Sequence, residues 1–277
     1  MKGLFESAEN CLLASSIEEK IHLTQLTAQL WQSHQVSLEA IHQPKTINQP
    51  GHPERLILVA PKEVPKRRPG TPEGLIALVH AIAHIEFNAI NLAWDAVYRF
   101  RNLPEQFYQD WVQIAVEEAH HFQLLRQRLQ ELGIDYGDLP AHNGLWDMAR
   151  STAWDPMVRM ALVPRVLEAR GLDVTPGMIE KLKQLGEEKT AAILNIILRD
   201  EIGHVAIGSR WFKYFCAQRG LASEPTFQTL IEHYFSGQMR GPFDHKIREQ
   251  AGFSSNELKA LENFVQSNIH SKNAIPS

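Results

Sequence analysis

Ala115-Val116-Glu117-Glu118-Ala119-His120-His121-Phe122 is nearly repeated further on, as Asp200-Glu201-Ile202-Gly203-His204-Val205. Each stretch holds an acidic pair followed by a histidine, giving Glu118-x-x-His121 and Glu201-x-x-His204. Residues three apart share one face of an α-helix, about 4.5 Å apart along its axis, so one metal ion can take both side chains. Two such helices supply half of a dinuclear site.

The first stretch contains a second reading, Glu117-x-x-His120. Periodicity separates the two, because the apolar stripe Trp111, Ala115, Phe122, Leu125, Leu129, Leu132 passes through Glu118 with His121 beside it, and Glu117 and His120 flank it. In the second stretch, Leu194, Ile197, Gly208, Trp211 and Phe215 run through Glu201 and His204. Working outward, Thr71-Pro72-Glu73 has the N-cap, N1 proline and first-turn acid that open a helix. Its stripe Leu75, Val79, Ile82, Ala89, Ala93, Val97 is interrupted by Glu86. A fourth helix, about 156–170, carries Met157, Ala161, Pro164 and Gly171 on a stripe interrupted by Glu168, with a kink expected at Pro164. A carboxylate on a core stripe is costly unless it is paired or bound to a metal.

The spacings organise these helices. Glu86 precedes Glu118 by 32 residues and Glu168 precedes Glu201 by 33, which makes two matching helix pairs. The 50 residues between Glu118 and Glu168 suit a crossover connection. One Glu from each of two helices plus one ExxH from each of the other two is the ligand set of ferritin-like di-iron and di-manganese carboxylate bundles. The fold expected is therefore all-α, a ferritin-like four-helix bundle over 71–220. A helical segment and Pro-rich linker over 1–70 precede it, and a helical extension over 221–277 follows. The metal ligands expected are Glu86, Glu118, His121, Glu168, Glu201 and His204.

The remaining segments read as support. Residues 4–32 predict one or two helices with Ile17, Ile21, Leu26, Leu30 and Trp31 as packing residues. Six prolines in 42–71 exclude a helix and leave one apolar run, Leu56-Ile57-Leu58-Val59, as an isolated strand. Lys66-Arg67-Arg68 between prolines reads as solvated linker. His22, His34, His42 and His52 lack ligand spacing and are read as surface residues, and His142 as a loop histidine. His80 and His84, four apart, could hold a metal themselves, but their stripe continues through Asn88 and Asn91, and they are read as a polar flank or as support around the ligands. Thr175-Pro176 repeats the helix-opening signature and predicts a new helix to about Leu185, with the next from about Glu187 to Arg219. Ser254-x-x-Glu257 is a capping box, and 221–277 shows no chemistry.

Composition sets limits. An apolar fraction of 44% and a charged fraction of 22% are ordinary for a globular chain of 277 residues, which excludes a disordered or fibrous class. A net charge of −4 gives no general affinity for nucleic acid. Two cysteines make no disulfide framework, no basic-then-apolar leader opens the chain, and no uninterrupted apolar run reaches about 18 residues. A cytoplasmic protein without a membrane span is expected, and a homodimer is compatible with the sequence.

The run from about 55 to 220 resembles the ferritin-like family called domain of unknown function 455. The resemblance rests on Glu118-Ala119-His120-His121-Phe122, Tyr136-Gly137-Asp138-Leu139-Pro140-Ala141-His142, Leu167-Glu168-Ala169-Arg170-Gly171-Leu172-Asp173 and Asp200-Glu201-Ile202-Gly203-His204-Val205. It implies a ferritin-like bundle and brings no established reaction. A looser similarity, through the ligand pattern alone, is to the di-iron tRNA hydroxylase and the small subunit of ribonucleotide reductase. That likeness implies that Asp200 orients His121 and that Glu117 orients His204. It differs in that His120 and Gly203 stand where those proteins have an arginine.

Carboxylate and imidazole ligands with open positions suit two iron ions, with manganese or a mixed Mn/Fe pair as the alternative. The function expected is an O2-activating oxidoreductase or hydroxylase with O2 as co-substrate, a small-molecule or lipid-like substrate and an external electron donor. A ferroxidase or metal-handling protein is the alternative, and a metal-free helical interaction module the third reading.

Overall fold

A computed structural model describes residues 2–39, 42–64, 70–235 and 239–273. The Lys66-Arg67-Arg68 run lies outside the described residues. Among the described residues the regular structure is helical apart from a two-residue parallel pairing of β1 (Lys2–Gly3) with β2 (Val36–Ser37) and one isolated bridge. The chain forms two compact units, Met1–Ser151 with Leu185–Ile193, and Thr152–Gln184 with Leu194–Ser277.

In the first unit, α1 (Leu4–Leu13) packs on α2 (Ile17–Gln32) and on α3 (Pro72–Arg99), and α3 pairs with α4 (Glu105–Glu131). Ser16 caps α2 by accepting from the Glu19 amide, and Thr71 caps α3 by accepting from that of Gly74. The buried stripe of α2 differs from the one expected. Leu26 is exposed and Leu30 half-buried, whereas Lys20, Thr24 and Thr27 are buried with Ile17, Ile21 and Trp31. Hydrogen bonding explains the inversion: Lys20 Nζ donates to the Cys11 and Leu12 carbonyls at the end of α1, and Thr24 Oγ1 accepts from Trp94 Nε1 at 2.9 Å. A polar side chain with partners can occupy a core position that an unpartnered one cannot.

The Pro-rich stretch is extended, as its prolines require. Leu58 bridges Ala141, with the Val59 amide donating to Ala141 O at 2.8 Å and the Ala141 amide to Ile57 O at 3.1 Å. A short helix, α5 (Gly144–Ser151), follows, and its Trp146 Nε1 donates to Asn48 O. Among the described residues α3 is the one helix long and apolar enough to cross a membrane, and most of its apolar window is buried within the protein.

In the second unit, α6 (Pro156–Leu162) passes into a π-helical segment (Val163–Glu168) and then α7 (Ala169–Gln184). Pro164 has no amide to donate, and the Ala169 amide reaches back to the Pro164 carbonyl, five residues away. The expected kink is thus realised as an extra residue in the turn. Thr175-Pro176 does not open a new helix, because α7 runs through it with Pro176 inside. Ala169, Leu172, Thr175, Ile179 and Leu182 form one continuous buried stripe, whose burial outweighs the roughly 3 kcal/mol cost of an interior proline. Next comes α8 (Glu188–Gln218), whose first residues belong to the first unit. The second unit closes with α9 (Ser223–Tyr234), α10 (His245–Gln250) and α11 (Ser255–Asn273). The capping box forms as read, with the Glu257 amide donating to Ser254 Oγ and the Ser254 amide to Glu257 Oε2.

Candidate metal centre

Helices α3 and α4 of the first unit bring three of the expected ligands together. Glu86, Glu118 and His121 are 3%, 1% and 0% exposed. Their ligand atoms all lie within 4.8 Å of one another. His121 Nδ1 stands 3.2 Å from Glu86 Oε2 and 3.4 Å from Glu118 Oε2. The residues next in sequence pack beside this register: Phe87 and Phe122 meet edge to face at 5.1 Å, and Tyr136 lies tilted against Phe87 and edge-on to Phe122.

Two buried carboxylates thus share one imidazole nitrogen. Burial alone would lower the pKa of His121, but hydrogen bonds and charge from Glu118 and Glu86 prevail and hold it up to about 11. A divalent cation at this point would be met by both carboxylates and would take the imidazole lone pair in place of the proton. Two carboxylates and one imidazole in a buried setting are compatible with metal binding.

The second unit places Glu201 and His204 on α8, with His204 Nδ1 3.4 Å from Glu201 Oε1. His204 is 1% exposed and Glu201 9%. Glu168 is half-buried at the last position of the π-helical segment. Of the two expected orienting acids, Asp200 accepts from Arg199 at 2.8 and 3.2 Å, and Glu117 Oε1 accepts from Gln113 at 2.8 Å. His120 is exposed.

The polar flank of α3 is buried. His80 Nε2 accepts from the Gly137 amide at 3.0 Å. At His84 the partners fix the tautomer: a carbonyl can only accept, so Nε2–H donates to His142 O at 2.9 Å and Nδ1 accepts from Tyr136 Oη at 2.8 Å. The close approach of Asn88 Nδ2 to the same Nε2 is then a contact, and that amide donates to the His84 carbonyl instead. His142 itself is exposed, as are His22, His34 and His42, and His52 is half-buried against Gln49 and Pro53. Lys20 escaped sequence reading, because a lysine among acids on a surface-like helix carries no sign of burial.

The family model described as "Protein of unknown function (DUF455)" matches residues 13–259. A Haemophilus influenzae protein described as uncharacterised is 51% identical over 213 residues, covering 74% of each chain. No solved structure matches. With most of its length matched, including every residue of the candidate centre, the chain belongs to the DUF455 family.

Proposed function

We propose that this chain is a di-iron carboxylate oxidoreductase that uses O2 to oxidise an organic substrate, drawing electrons from an external donor. The observation that carries the reading is the buried grouping of Glu86, Glu118 and His121, whose ligand atoms all lie within 4.8 Å of one another. In this reading Glu168, Glu201 and His204 would complete a ferritin-like ligand set with Glu86, Glu118 and His121, and Asp200 and Glu117 would orient the histidines. Iron bound there supplies one-electron redox chemistry and Lewis acidity toward O2. The chain's own part is to hold that charge in a dry setting: the glutamates neutralise it, His121 gives up its Nδ1 proton to bind, and the Phe87 and Phe122 rings keep bulk water away. The substrate is a small or lipid-like organic molecule.

Metal analysis of protein purified anaerobically from iron-supplied cells tests the reading. About two irons per chain are expected from the ligand set, and about one or none in Glu118→Ala. Protein that carries no metal under those conditions rules the reading out and leaves a metal-free helical module. A large closed shell that oxidises Fe(II) without a co-substrate would instead assign a ferroxidase.

A further inference from the structure

Glu168 ends a π-helical segment, and the residues on either side of it are held by the C-terminal helices. Arg165, three residues before it, is fully buried and donates through Nη2 to Glu257 Oε1 at 2.6 Å and through Nε to Ser209 Oγ of α8 at 3.1 Å. Its guanidinium lies 4.0, 4.5 and 4.9 Å from the ring centroids of Phe227, Phe253 and Phe212. Five residues after Glu168, Asp173 accepts from Arg248 at Oδ1 and Oδ2, both at 2.8 Å, and Arg248 also donates to the Ala169 carbonyl at 3.2 Å. Both ion pairs are almost wholly shielded from solvent. Phe253 connects them, with the Arg248 guanidinium 5.0 Å from its centroid.

A π-helical turn is a weaker frame than an α-helical one, because one residue's worth of the i→i+4 pattern is lost. A ligand placed on it is only as well located as the contacts that hold the turn. We propose that Glu257 and Arg248 are positioning residues, bracing the turn that carries Glu168 so that the C-terminal extension sets the geometry of that ligand. The inference rests on the assignment of Glu168 as a metal ligand. It gives work to a capping box that otherwise only starts a helix: Glu257 Oε2 caps α11, and Oε1 reaches Arg165, 92 residues away.

The test compares Glu257→Gln, which removes the charge opposite Arg165, with Ser254→Ala, which weakens the same cap without touching Arg165. Amide exchange of the metal-free full chain is measured first. Loss of a charge-assisted buried bond should speed exchange across 163–169 by about tenfold or more in E257Q and leave S254A near wild type. Unchanged exchange in E257Q, or equal acceleration in both variants, overturns the brace. Titration with Co(II) follows, and E257Q should bind one of two ions about tenfold more weakly while the other keeps its affinity. If wild type takes up no metal, the oxidoreductase reading fails, and exchange alone decides the brace. Should E257Q not fold, Arg165→Lys replaces it with the same expectations.

Discussion

Lys20 Nζ on α2 donates to Asn91 Oδ1 on α3 at 2.7 Å while closing the last carbonyls of α1. Burial lowers its pKa from the ordinary 10.5 to about 7. Between those values the unfolded chain binds more protons than the folded one, so stability rises with pH from about 7 to 10.5 and is flat below. Lys20→Met should abolish that slope and cost about 1–3 kcal/mol at pH 7, because its acceptors lose their donor. Urea denaturation across pH 6–10 reads both effects; parallel curves for wild type and variant would disprove the account.

His80 predicts the opposite limb. Burial holds its pKa down at about 4, against 6.5 in an exposed histidine, and its Nε2 accepts a bond that protonation would break. The contribution is fully present above pH 6.5 and is lost as pH falls toward 4, with a slope of at most about 1.4 kcal/mol per unit. His80→Gln should flatten the acid limb by that amount. A variant that retains the wild-type slope between pH 6.5 and 4 would contradict this.

Gly208 lies one turn beyond His204 on α8, and a Cβ there would clash with the Cβ and Cγ of Pro164. An alanine in a helix interior normally stabilises by up to about 1 kcal/mol. Here the clash decides the sign, and Gly208→Ala should destabilise by about 1–3 kcal/mol. A thermal melt suffices, and a raised Tm would sink the prediction.

Asp155 caps α6 through the Met157 amide at 2.8 Å and receives both Arg219 nitrogens, at 2.6 and 2.8 Å. Asp155→Ala should cost about 1–2 kcal/mol, mostly from the cap, since Arg219 is 40% exposed and its pairing is screened. Arg219→Ala should cost less than half as much by chemical denaturation. Equal losses would show that the pair, not the cap, dominates.

The helices and the positions of Glu86, Glu118 and His121 on them were legible because they depend on local periodicity. Glu86 and Glu118 break apolar stripes, with His121 beside one of them, and only burial makes such a break expensive. Thr71-Pro72 and Thr175-Pro176 carry the same letters, yet the first opens a helix and the second lies inside one. The difference is the stripe from Ala169 to Leu182, a tertiary effect outweighing a local signal. Pro164 signalled a disturbance without revealing its form, because a kink and an inserted residue relieve the same missing donor. Lys20 and the Arg165–Glu257 pair were not legible, since each depends on partners 71 and 92 residues away.

The Pro-rich stretch looks by composition like a spacer, yet main-chain bonds stitch it to its surroundings at Gly51, Ile57 and Val59, and Trp146 holds Asn48. The Gly51 amide donates to Leu12 O, and a side chain on Gly51 would run into the end of α1. A protease acting on the native chain should therefore spare residues 48–59, and a fusion or permutation site placed there would open the first unit instead of separating a module from it.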